Sequence, residues 1–393
     1  MKYARRDLEV VVEKAARNFG VVVLTGPRRS GKTYLLRHLL PDAEYFLFED
    51  PDIVARFRRD PQAFLDGVKG PVIFDEIQNV PEVFNYVRSR VDARPRRTGH
   101  WFLTGSHESG LMRNVTESMA GRAAVLQLLP FSARESAKVG ILRGGYPEVL
   151  ARPNAARLWF SSYLQTYLER DVRSIAAIQD MSLFRRFLAL VASRHGQILN
   201  KTDFAAPLGL SVPSVARWLD ILETTAQILV VPPYFTNLGK RLVKSPKVYI
   251  ADSGLACHLL GIDTEGELAE SPFRGPLFEG FVASEIVKAQ VHSGRRRELY
   301  YFRDRQGLEV DFVVPAKGGG AQLVEAKASS TVTPDMAEPM LRLARAWKRG
   351  SRVRGELSMH LVHFAPRAGV VTRAIAPGVQ ALAWQEFVRE ALQ

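Results

Sequence analysis

An eight-residue loop constrains the fold of this chain more than any other feature. It reads GPRRSGKT, from Gly26 to Thr33, and it follows the apolar run VVVLT. The loop fits the pattern GxxxxGK[ST], which requires a strand before it and a helix after it. Its glycines let the backbone curl so that successive N–H groups face a phosphate, and the helix dipole adds to that attraction. The loop therefore predicts a nucleotide site on an α/β fold.

The residue types in the loop predict individual roles. Lys32 would reach the β- and γ-phosphates, and the Thr33 hydroxyl would ligate Mg²⁺. The cofactors predicted from the loop are ATP and Mg²⁺. The predicted nucleotide-binding residues of the loop are Gly26, Pro27, Arg28, Arg29, Ser30, Gly31, Lys32 and Thr33.

Polar residues end the two apolar strands that follow. In VIFDEI, Asp75 suits a carboxylate held near Mg²⁺, and Glu76 is placed to orient and deprotonate an attacking water. In WFLTGSH, Thr104 or Ser106 could sense the γ-phosphate by hydrogen bonding. The pair of acids favours ATP hydrolysis over a small-molecule kinase, because a kinase would not normally need the second acid.

The order of apolar and helical stretches predicts four regions. Alternating strands and helices predict a parallel sheet with an ATPase core over residues 1–138. Helical patterns predict a linker or lid over 139–194. Two helices and two strands predict a winged helix over 195–255. The apolar and helical stretches of the remainder, 256–393, predict a small α/β domain.

The predicted winged helix supplies candidate DNA contacts. These residues lie on the outward face of its second helix or on the predicted wing, where they could meet phosphates: Arg217, Lys240, Arg241, Lys244 and Lys247. The alternative is that the two helices form a plain packing unit. The net charge of +13 favours a polyanionic partner such as nucleic acid or acidic lipid.

Acidic residues on adjacent predicted strands suggest a second site. Asp311 in GLEVDFVV precedes Glu325 and Lys327 in LVEAKA, and Glu279 lies on the helix before them. Carboxylates hold a divalent ion that lowers the pKa of bound water, and a nearby ammonium steadies hydroxide or a scissile phosphate. The spacing predicts a PD-(D/E)xK nuclease-like core with a metal at Glu279, Asp311 and Glu325. The alternative is an ion network that joins the strands.

Composition excludes some classes of protein. A single cysteine, Cys257, excludes an internal disulfide framework and a multi-cysteine zinc site. The sequence has neither an apolar signal core at its start nor an apolar run of about 18 residues, the length that spans a bilayer. We expect a cytosolic protein without a membrane partner.

The order of motifs resembles a known family. The loop, the Asp-Glu strand and the polar strand end resemble the AAA+ ATPases. The whole series resembles prokaryotic ATPases that join an AAA-type domain to a C-terminal domain of unknown function with a nuclease-like end. The resemblance implies a homo-oligomer, with a ring as one form, in which Arg113 or Arg122 completes the neighbouring ATP site. The motifs that carry it are LTGPRRSGKT, IFDEIQNVP, FLTGSH, GRAAVLQLLPFSARE, GGYPEVL, YLERDV, YIADSGLA, LFEGFVASEI, YYFRDRQGLEVDFVV and LVEAKAS.

Two functions follow as hypotheses. In the first, an ATP-hydrolysing AAA+ protein acts on DNA, recognising its structure rather than its sequence. Remodelling of branched or forked DNA is the sharper version, by analogy with junction resolvases of nuclease-like fold. In the second, the protein is a nucleotide-controlled regulatory switch, and an inactive nuclease-like domain only binds a protein or nucleic-acid partner.

Overall fold

The computed structural model describes residues 3–105, 119–168, 180–234, 244–350, 355–365 and 373–392. Four residues singled out from the sequence, Ser106, Arg113, Lys240 and Arg241, lie outside these ranges. The helices are α1 (Glu9–Asn18), α2 (Lys32–Leu39), α3 (Pro51–Arg59), α4 (Pro61–Asp66), α5 (Val83–Ala93), α6 (Pro147–Ala151), α7 (Ala156–Tyr163), α8 (Met181–Ser193), α9 (Lys201–Leu208), α10 (Val212–Thr224), α11 (Ser253–Leu259), α12 (Glu265–Glu270), α13 (Arg274–His292), α14 (Glu338–Gly350) and α15 (Trp384–Glu386).

The strands form three sheets. They are β1 (Val21–Thr25), β2 (Glu44–Leu47), β3 (Val72–Asp75), β4 (Trp101–Thr104), β5 (Ala123–Gln127), β6 (Gln197–Ile198), β7 (Ile228–Val231), β8 (Lys247–Ile250), β9 (Tyr300–Arg303), β10 (Glu309–Pro315), β11 (Ala321–Lys327), β12 (Leu357–His363), β13 (Ala374–Ala376) and β14 (Val379–Ala383).

The first sheet is the predicted parallel sheet. Its order is β2-β3-β4-β1-β5, and every neighbouring pair is parallel. Strands β1, β3 and β4 are buried along their whole length, with an apolar core on each face of the sheet. Burial on both faces explains their continuous apolar runs. The carboxyl ends of β1 and β3 lie at the same edge, which positions the loop beside Asp75.

The middle of the chain contains three helices and a small antiparallel sheet. Helix α9 ends at Leu208 and is followed by Gly209, which has a left-handed φ of 64°. Ser211 caps α10 by accepting a hydrogen bond from the Ser214 N–H at 3.2 Å. The sheet has the order β6-β8-β7. The inward face of α10 is apolar and buried, and it includes Val215, Leu219 and Leu222.

The last sheet is mixed and has six strands, in the order β13-β14-β12-β11-β10-β9. Strands β10 and β11, predicted to be adjacent, form an antiparallel hairpin, whereas β11, β12 and β14 run parallel. Helix α13 packs against β11, and α14 packs against β10 and β11. This sheet brings the strands that carry Asp311 and Glu325 side by side.

The GGYP segment, residues 144–147, forms a tight packing contact. The Asp252 carboxylate accepts hydrogen bonds from the Gly145 N–H at 2.8 Å and from the Leu255 N–H at 3.0 Å. A Cβ on Gly145 would lie 2.1 Å from the Phe131 carbonyl oxygen, so no larger residue fits there without a backbone shift. The motifs GGYP and ADSGLA therefore join the region after the first sheet to the start of α11.

Across the ranges that the structure describes, no helix has the length and apolar character needed to cross a membrane.

Candidate functional site

The phosphate-binding loop lies between β1 and α2. Gly26 and Gly31 have φ values of 138° and 99°, which favour glycine. A Cβ on Gly26 would lie 2.1 Å from the Leu128 carbonyl oxygen. The buried Ser30 hydroxyl has no hydrogen-bond partner within the described residues. This tightly curled backbone, with an unsatisfied hydroxyl, fits a phosphate ligand.

Lys32 is buried at the start of α2. Its Nζ donates hydrogen bonds to the carbonyl oxygens of Gly26 at 2.9 Å and Pro27 at 3.0 Å. Both acceptors are uncharged backbone groups of the loop itself. Because phosphate oxygens are stronger acceptors for an ammonium, the lysine can exchange these carbonyls for a nucleotide.

Asp75 links three hydroxyl groups at the end of β3. Its carboxylate accepts hydrogen bonds from Thr33 Oγ1 at 2.7 Å, from the Tyr45 hydroxyl at 2.8 Å and from the Thr104 hydroxyl. Burial, followed by the Asp75 charge, raises the pKa of Tyr45, so this hydroxyl stays a donor. The structure therefore brings together Thr33, Asp75 and Thr104, with the oxygen ligands that Mg²⁺ prefers.

Glu76 follows Asp75 and has a left-handed backbone, with φ 57° and ψ 46°. Its carboxylate accepts a hydrogen bond from the Gln78 amide and lies 3.9 Å from Arg28 Nη1. Arg28 also contacts Glu49 at 3.2 Å. The turn at Glu76 places its carboxylate at the mouth of the loop, within reach of a guanidinium from the loop.

The loop opens into a cavity of about 480 Å³, a size typical of a small-molecule site. Asp75 and Glu76 line it, and so do Glu148 and Arg152 from α6 and its C-terminal end. Arg29 of the loop lies 3.5 Å from Glu148. The predicted lid region thus borders the cavity, which the sequence motifs did not indicate.

Arg122, a predicted arginine for a neighbouring subunit's site, does not line this cavity. Its guanidinium donates hydrogen bonds to both carboxylate oxygens of Asp92 on α5, one of them at 3.2 Å. A role for Arg122 in a second subunit stays a prediction.

Arg6 contacts the loop from the N-terminal segment and was missed from the sequence. Its guanidinium donates to the Ser30 carbonyl oxygen at 3.0 Å, to the Leu129 carbonyl oxygen at 2.7 Å and to Glu135 Oε1 at 3.0 Å. His292 Nδ1, at the end of α13, lies 3.4 Å from the same Glu135 oxygen. A buried contact therefore runs from the loop to α13.

Charge pairing determines the ionisation of Glu135. Burial alone would raise its pKa, but His292 and Arg6 outweigh burial and lower the pKa below its ordinary value. Glu135 is therefore ionised at physiological pH and holds the two basic residues together.

The second predicted site forms where α13, β10 and β11 meet. The Asp311 carboxylate accepts a hydrogen bond from the Ala326 N–H at 2.9 Å, and Lys327 Nζ lies 2.6 Å from Glu325 Oε1. Glu279 on α13 accepts a hydrogen bond from the Tyr249 hydroxyl at 2.6 Å. Burial, followed by the Asp311 charge, raises the pKa values of Glu279 and Glu325.

The position of Lys247 corrects the prediction that it belongs to an exposed wing. It begins β8, is 3% exposed, and lies 2.8 Å from Glu279, 2.5 Å from Glu309 and 4.0 Å from Asp311. All four residues of β8 are buried. The lysine is therefore desolvated, and the three acids offset that cost and raise its pKa. Arg217 and Lys244 are exposed, as their predicted role requires.

The predicted metal site also differs from the structure. Within the described ranges, no group of three or more His, Cys, Asp or Glu side chains is arranged to hold a metal ion. The Lys247 ammonium lies among the acids where the prediction placed a divalent cation. In this arrangement Lys247 compensates the charge of Glu279 and Asp311, and Lys327 compensates that of Glu325, so a metal would have to displace these ammonium groups.

Family models match three consecutive parts of the chain. An AAA domain matches residues 18–137, a domain of unknown function (DUF8612) matches 134–266, and a second domain of unknown function (DUF4143) matches 274–365. The AAA domain contains the loop, Asp75, Glu76 and Thr104. The chain is thus an AAA-type P-loop ATPase that binds a nucleotide.

Similar proteins are found in bacteria and archaea. An uncharacterized protein of Mycobacterium tuberculosis is 33% identical over 325 residues, which cover 81% of this chain and 73% of the relative. An uncharacterized protein of Methanocaldococcus jannaschii is 23% identical over 354 residues, with 80% and 75% covered.

Two solved structures overlap with this fold in part. The Walker-type ATPase of Pyrococcus abyssi has a TM-score of 0.44 and 17% identity, covering 64% of this chain and 94% of its own. The RuvB Holliday junction branch migration motor of Thermotoga maritima has a TM-score of 0.32 and 14% identity, covering 57% and 89%. The family models and the mycobacterial relative show that this chain belongs to the family of AAA-type P-loop ATPases that carry the two domains of unknown function, DUF8612 and DUF4143.

Proposed function

We propose that this ATPase binds DNA under the control of its nucleotide, and that its nuclease-like C-terminal domain binds a partner without cutting it. The position of Lys247 carries the second half of this proposal. Its ammonium lies within 4.0 Å of Glu279, Glu309 and Asp311. A nuclease of this type needs its acids free for a metal, so the lysine favours the regulatory hypothesis over the catalytic one.

The ATP site assigns a role to each polar residue around the loop. Lys32 would bind the β- and γ-phosphates, and Thr33 and Asp75 would hold Mg²⁺, which when bound would supply positive charge against the charge that develops on the phosphates. Glu76 orients and deprotonates the attacking water, and Thr104, which donates to Asp75, keeps that carboxylate in position. Thr104 and Ser106 are the two candidates for contact with the γ-phosphate.

Assembly of several copies is part of the proposal, by the general chemistry of phosphoryl transfer. The transition state of phosphoryl transfer carries spread negative charge, which an arginine from another subunit commonly meets. Arg122 is partly exposed and lies away from its own cavity, and it would have to exchange its pairing with Asp92 to reach a second copy. We propose a homo-oligomer, with Arg113 as the other candidate for this role.

The middle module supports the proposal of DNA binding. The order α8, β6, α9, α10, β7, β8, with β8 between the other two strands, is the order of a winged helix. Arg217 lies exposed on α10, the helix that would approach DNA, and Lys244 lies exposed before β8. Lys240 and Arg241 belong to the segment that joins β7 and β8. These side chains and the net charge of +13 favour contact with phosphates.

Two buried contacts provide a route for nucleotide control. Arg6 joins the Ser30 carbonyl of the loop to Glu135, which contacts the C-terminal end of α13 at His292. Near the other end of α13, Glu279 contacts Lys247 of the middle sheet. A nucleotide that moves the loop backbone therefore acts on one rigid helix that also contacts the proposed winged helix.

A DNA-binding panel tests the proposal. Single-stranded, duplex, forked and four-way DNA are each titrated with ADP, with a non-hydrolysable ATP analogue, and without nucleotide. We expect at least one DNA to bind about tenfold more tightly in one nucleotide state, a coupling of ~1.4 kcal/mol. We expect no cleavage of any DNA with Mg²⁺ or Mn²⁺.

The matched control is Lys32→Ala, which should bind DNA with the same affinity whether or not nucleotide is added. Metal-dependent cleavage that disappears in Asp311→Ala would overturn the non-cutting half of the proposal. If no DNA binds more tightly than about micromolar at moderate salt, which is the non-specific range, the DNA half fails.

A further inference from the structure

Five arginines lie close together in the sequence of the AAA domain, in the C-terminal half of α5 and in the loop after it. We call Arg88, Arg90, Arg94, Arg96 and Arg97 the arginine patch. The loop leads into β4, and the Gly99 N–H donates a hydrogen bond to the Phe19 carbonyl just before β1. The patch therefore lies at the amino edge of the parallel sheet. The ATP site lies at the carboxyl edge, so the two surfaces do not overlap.

The patch has little compensating negative charge. Residues 88–97 contain five arginines and one acid, Asp92, which is paired with Arg122. All of the patch except the half-buried Arg90 is exposed. Within the described residues, the guanidinium groups of Arg88, Arg94 and Arg96 have no hydrogen-bond or ion-pair partner. Free, exposed guanidinium groups at this density favour a polyanionic ligand.

Contacts with the neighbouring elements hold the other two arginines in place. Arg90 lies 2.5 Å from Asp66 and also donates to the Gln62 side chain at 2.7 Å. Arg97 donates to the Lys69 carbonyl oxygen at 2.9 Å. Because these guanidinium groups are already ordered, less side-chain entropy is lost when a ligand binds them.

Three arginines of the patch line a cavity of about 220 Å³. Arg90, Arg94 and Arg97 line it together with His100 and Trp101, and Asp66 is its acidic member. Burial, followed by the charges of Arg97 and Arg94, lowers the pKa of His100 to about 4. The cavity is thus a concave, positively charged site beside the unpaired arginines.

We infer that the arginine patch binds the phosphate backbone of DNA, as a second contact surface beyond the winged helix. Guanidinium forks match phosphate oxygens in pairs, and the patch contains arginine without lysine. A lipid surface fits less well, because membrane binding also needs exposed apolar side chains. The large apolar residues exposed in the described ranges are elsewhere: Val10, Tyr34, Leu158 and Val212. The inference rests on the proposed DNA-binding function.

The test compares two triple variants of the full chain. The first, Arg88→Ser/Arg94→Ser/Arg96→Ser, removes the three unpaired arginines of the patch. The control, Arg17→Ser/Arg157→Ser/Arg305→Ser, removes the same charge from exposed positions on separate elements. Circular dichroism checks that both unfold at the wild-type temperature. Fluorescence anisotropy with labelled duplex and forked DNA then measures affinity over a range of salt concentrations.

We expect the patch variant to bind DNA at least about tenfold more weakly, with a salt dependence whose slope falls by about two to three, the effect of losing three phosphate contacts. The control should stay within about twofold, since scattered charges contribute only through the general field. Wild-type affinity in the patch variant, alongside a loss in Arg217→Ser/Lys244→Ser, would overturn the inference and leave the proposed function intact.

Two further outcomes would show that the protein does not bind DNA at all or that the arginine patch binds lipid. If wild-type protein binds no DNA, the proposed function itself fails. If the patch variant keeps its DNA affinity but loses sedimentation with vesicles containing phosphatidylserine, the patch is a lipid surface and the inference is wrong.

Discussion

Two lysines in this chain are both buried, yet their partners make them suited to opposite tasks. Lys32 donates to two uncharged carbonyl oxygens of its own loop, beside an open cavity. Lys247 lies among Glu279, Glu309 and Asp311. A lysine that donates to a backbone carbonyl can donate to a phosphate instead at little cost in free energy. A lysine that leaves a carboxylate cluster leaves several charges without a partner at once.

The difference teaches that a lysine beside acids is no sign of catalysis until its partners are known. Both sites combine a lysine with carboxylates near the ends of strands. At the ATP site the acid, Asp75, accepts hydrogen bonds from hydroxyl groups, and the lysine donates to backbone carbonyl oxygens of the loop. At the second site the chain itself neutralises the acids, and the arrangement serves to join the middle module to the C-terminal domain.

The largest effect should come from breaking the second site with Lys247→Met. We expect a loss of about 3–5 kcal/mol in the free energy of unfolding near pH 8, because the partly buried acids lose their counter-charge. The pKa of Glu279 is already raised to about 7, mainly by burial, and removal of Lys247 raises it further. A carboxyl whose folded pKa is raised opposes folding once pH exceeds its unfolded value of about 4.3.

The destabilisation of Lys247→Met should therefore be smallest near pH 5 and grow as pH rises through the pKa of Glu279. Urea unfolding at several pH values measures it. The exposed Lys244→Met provides the control, with an expected change within about 0.5 kcal/mol. A pH-independent loss would show that packing rather than charge determines the effect.

Two substitutions at the ATP site should have different effects on nucleotide binding and on turnover. Lys32→Ala should abolish tight ATP binding and turnover, whereas Glu76→Gln should keep binding and reduce turnover by at least about 100-fold, the scale of a lost catalytic group. A phosphate-release assay and titration with a fluorescent nucleotide measure the two effects. The exposed Glu13→Gln on α1 is the control. Equal turnover in wild type and Glu76→Gln would remove Glu76 from the catalytic role.

The smallest expected loss of stability is that of Tyr249→Phe, which tests whether Lys247 or the Tyr249 hydroxyl stabilises Glu279. The change removes one hydrogen bond to Glu279 but leaves Lys247 in place, so we expect a loss of only about 1 kcal/mol. Thermal unfolding measures it against Tyr86→Phe, because Tyr86 has no hydroxyl hydrogen bond within the described residues. A loss as large as that of Lys247→Met would mean that the hydroxyl, and not the ammonium, stabilises the acids.

The ATP site was predictable because its signals are local. The loop is continuous in sequence, and Asp75 and Thr104 end neighbouring strands of a sheet whose parallel order is confirmed. Glu309 could have been found from its sequence, since it is two residues before Asp311 on one strand and shares its face. The hairpin of β10 and β11 was also predictable, from the glycine-rich turn between two apolar strands.

The remaining contacts depend on long-range packing that sequence patterns do not contain. Lys247 begins a strand buried at every position, so alternation could not show which way it faces. Glu279 is 32 residues away from it. Arg6 contacts Glu135 across 129 residues of sequence, and no motif surrounds it. Strands β13 and β14 were missed because they are short and separated only by the turn at Pro377 and Gly378.

The contact of Arg6 and His292 with Glu135 has a consequence for dividing the chain into fragments. Arg6 precedes the matched AAA segment, 18–137, and His292 belongs to the matched segment 274–365. A fragment limited to the AAA segment would keep the buried Glu135 carboxylate and lose both of its basic partners. Glu135 belongs to both 18–137 and 134–266, so this contact links all three matched segments, and we expect domain exchange between relatives to succeed best when both ends of the contact are carried together.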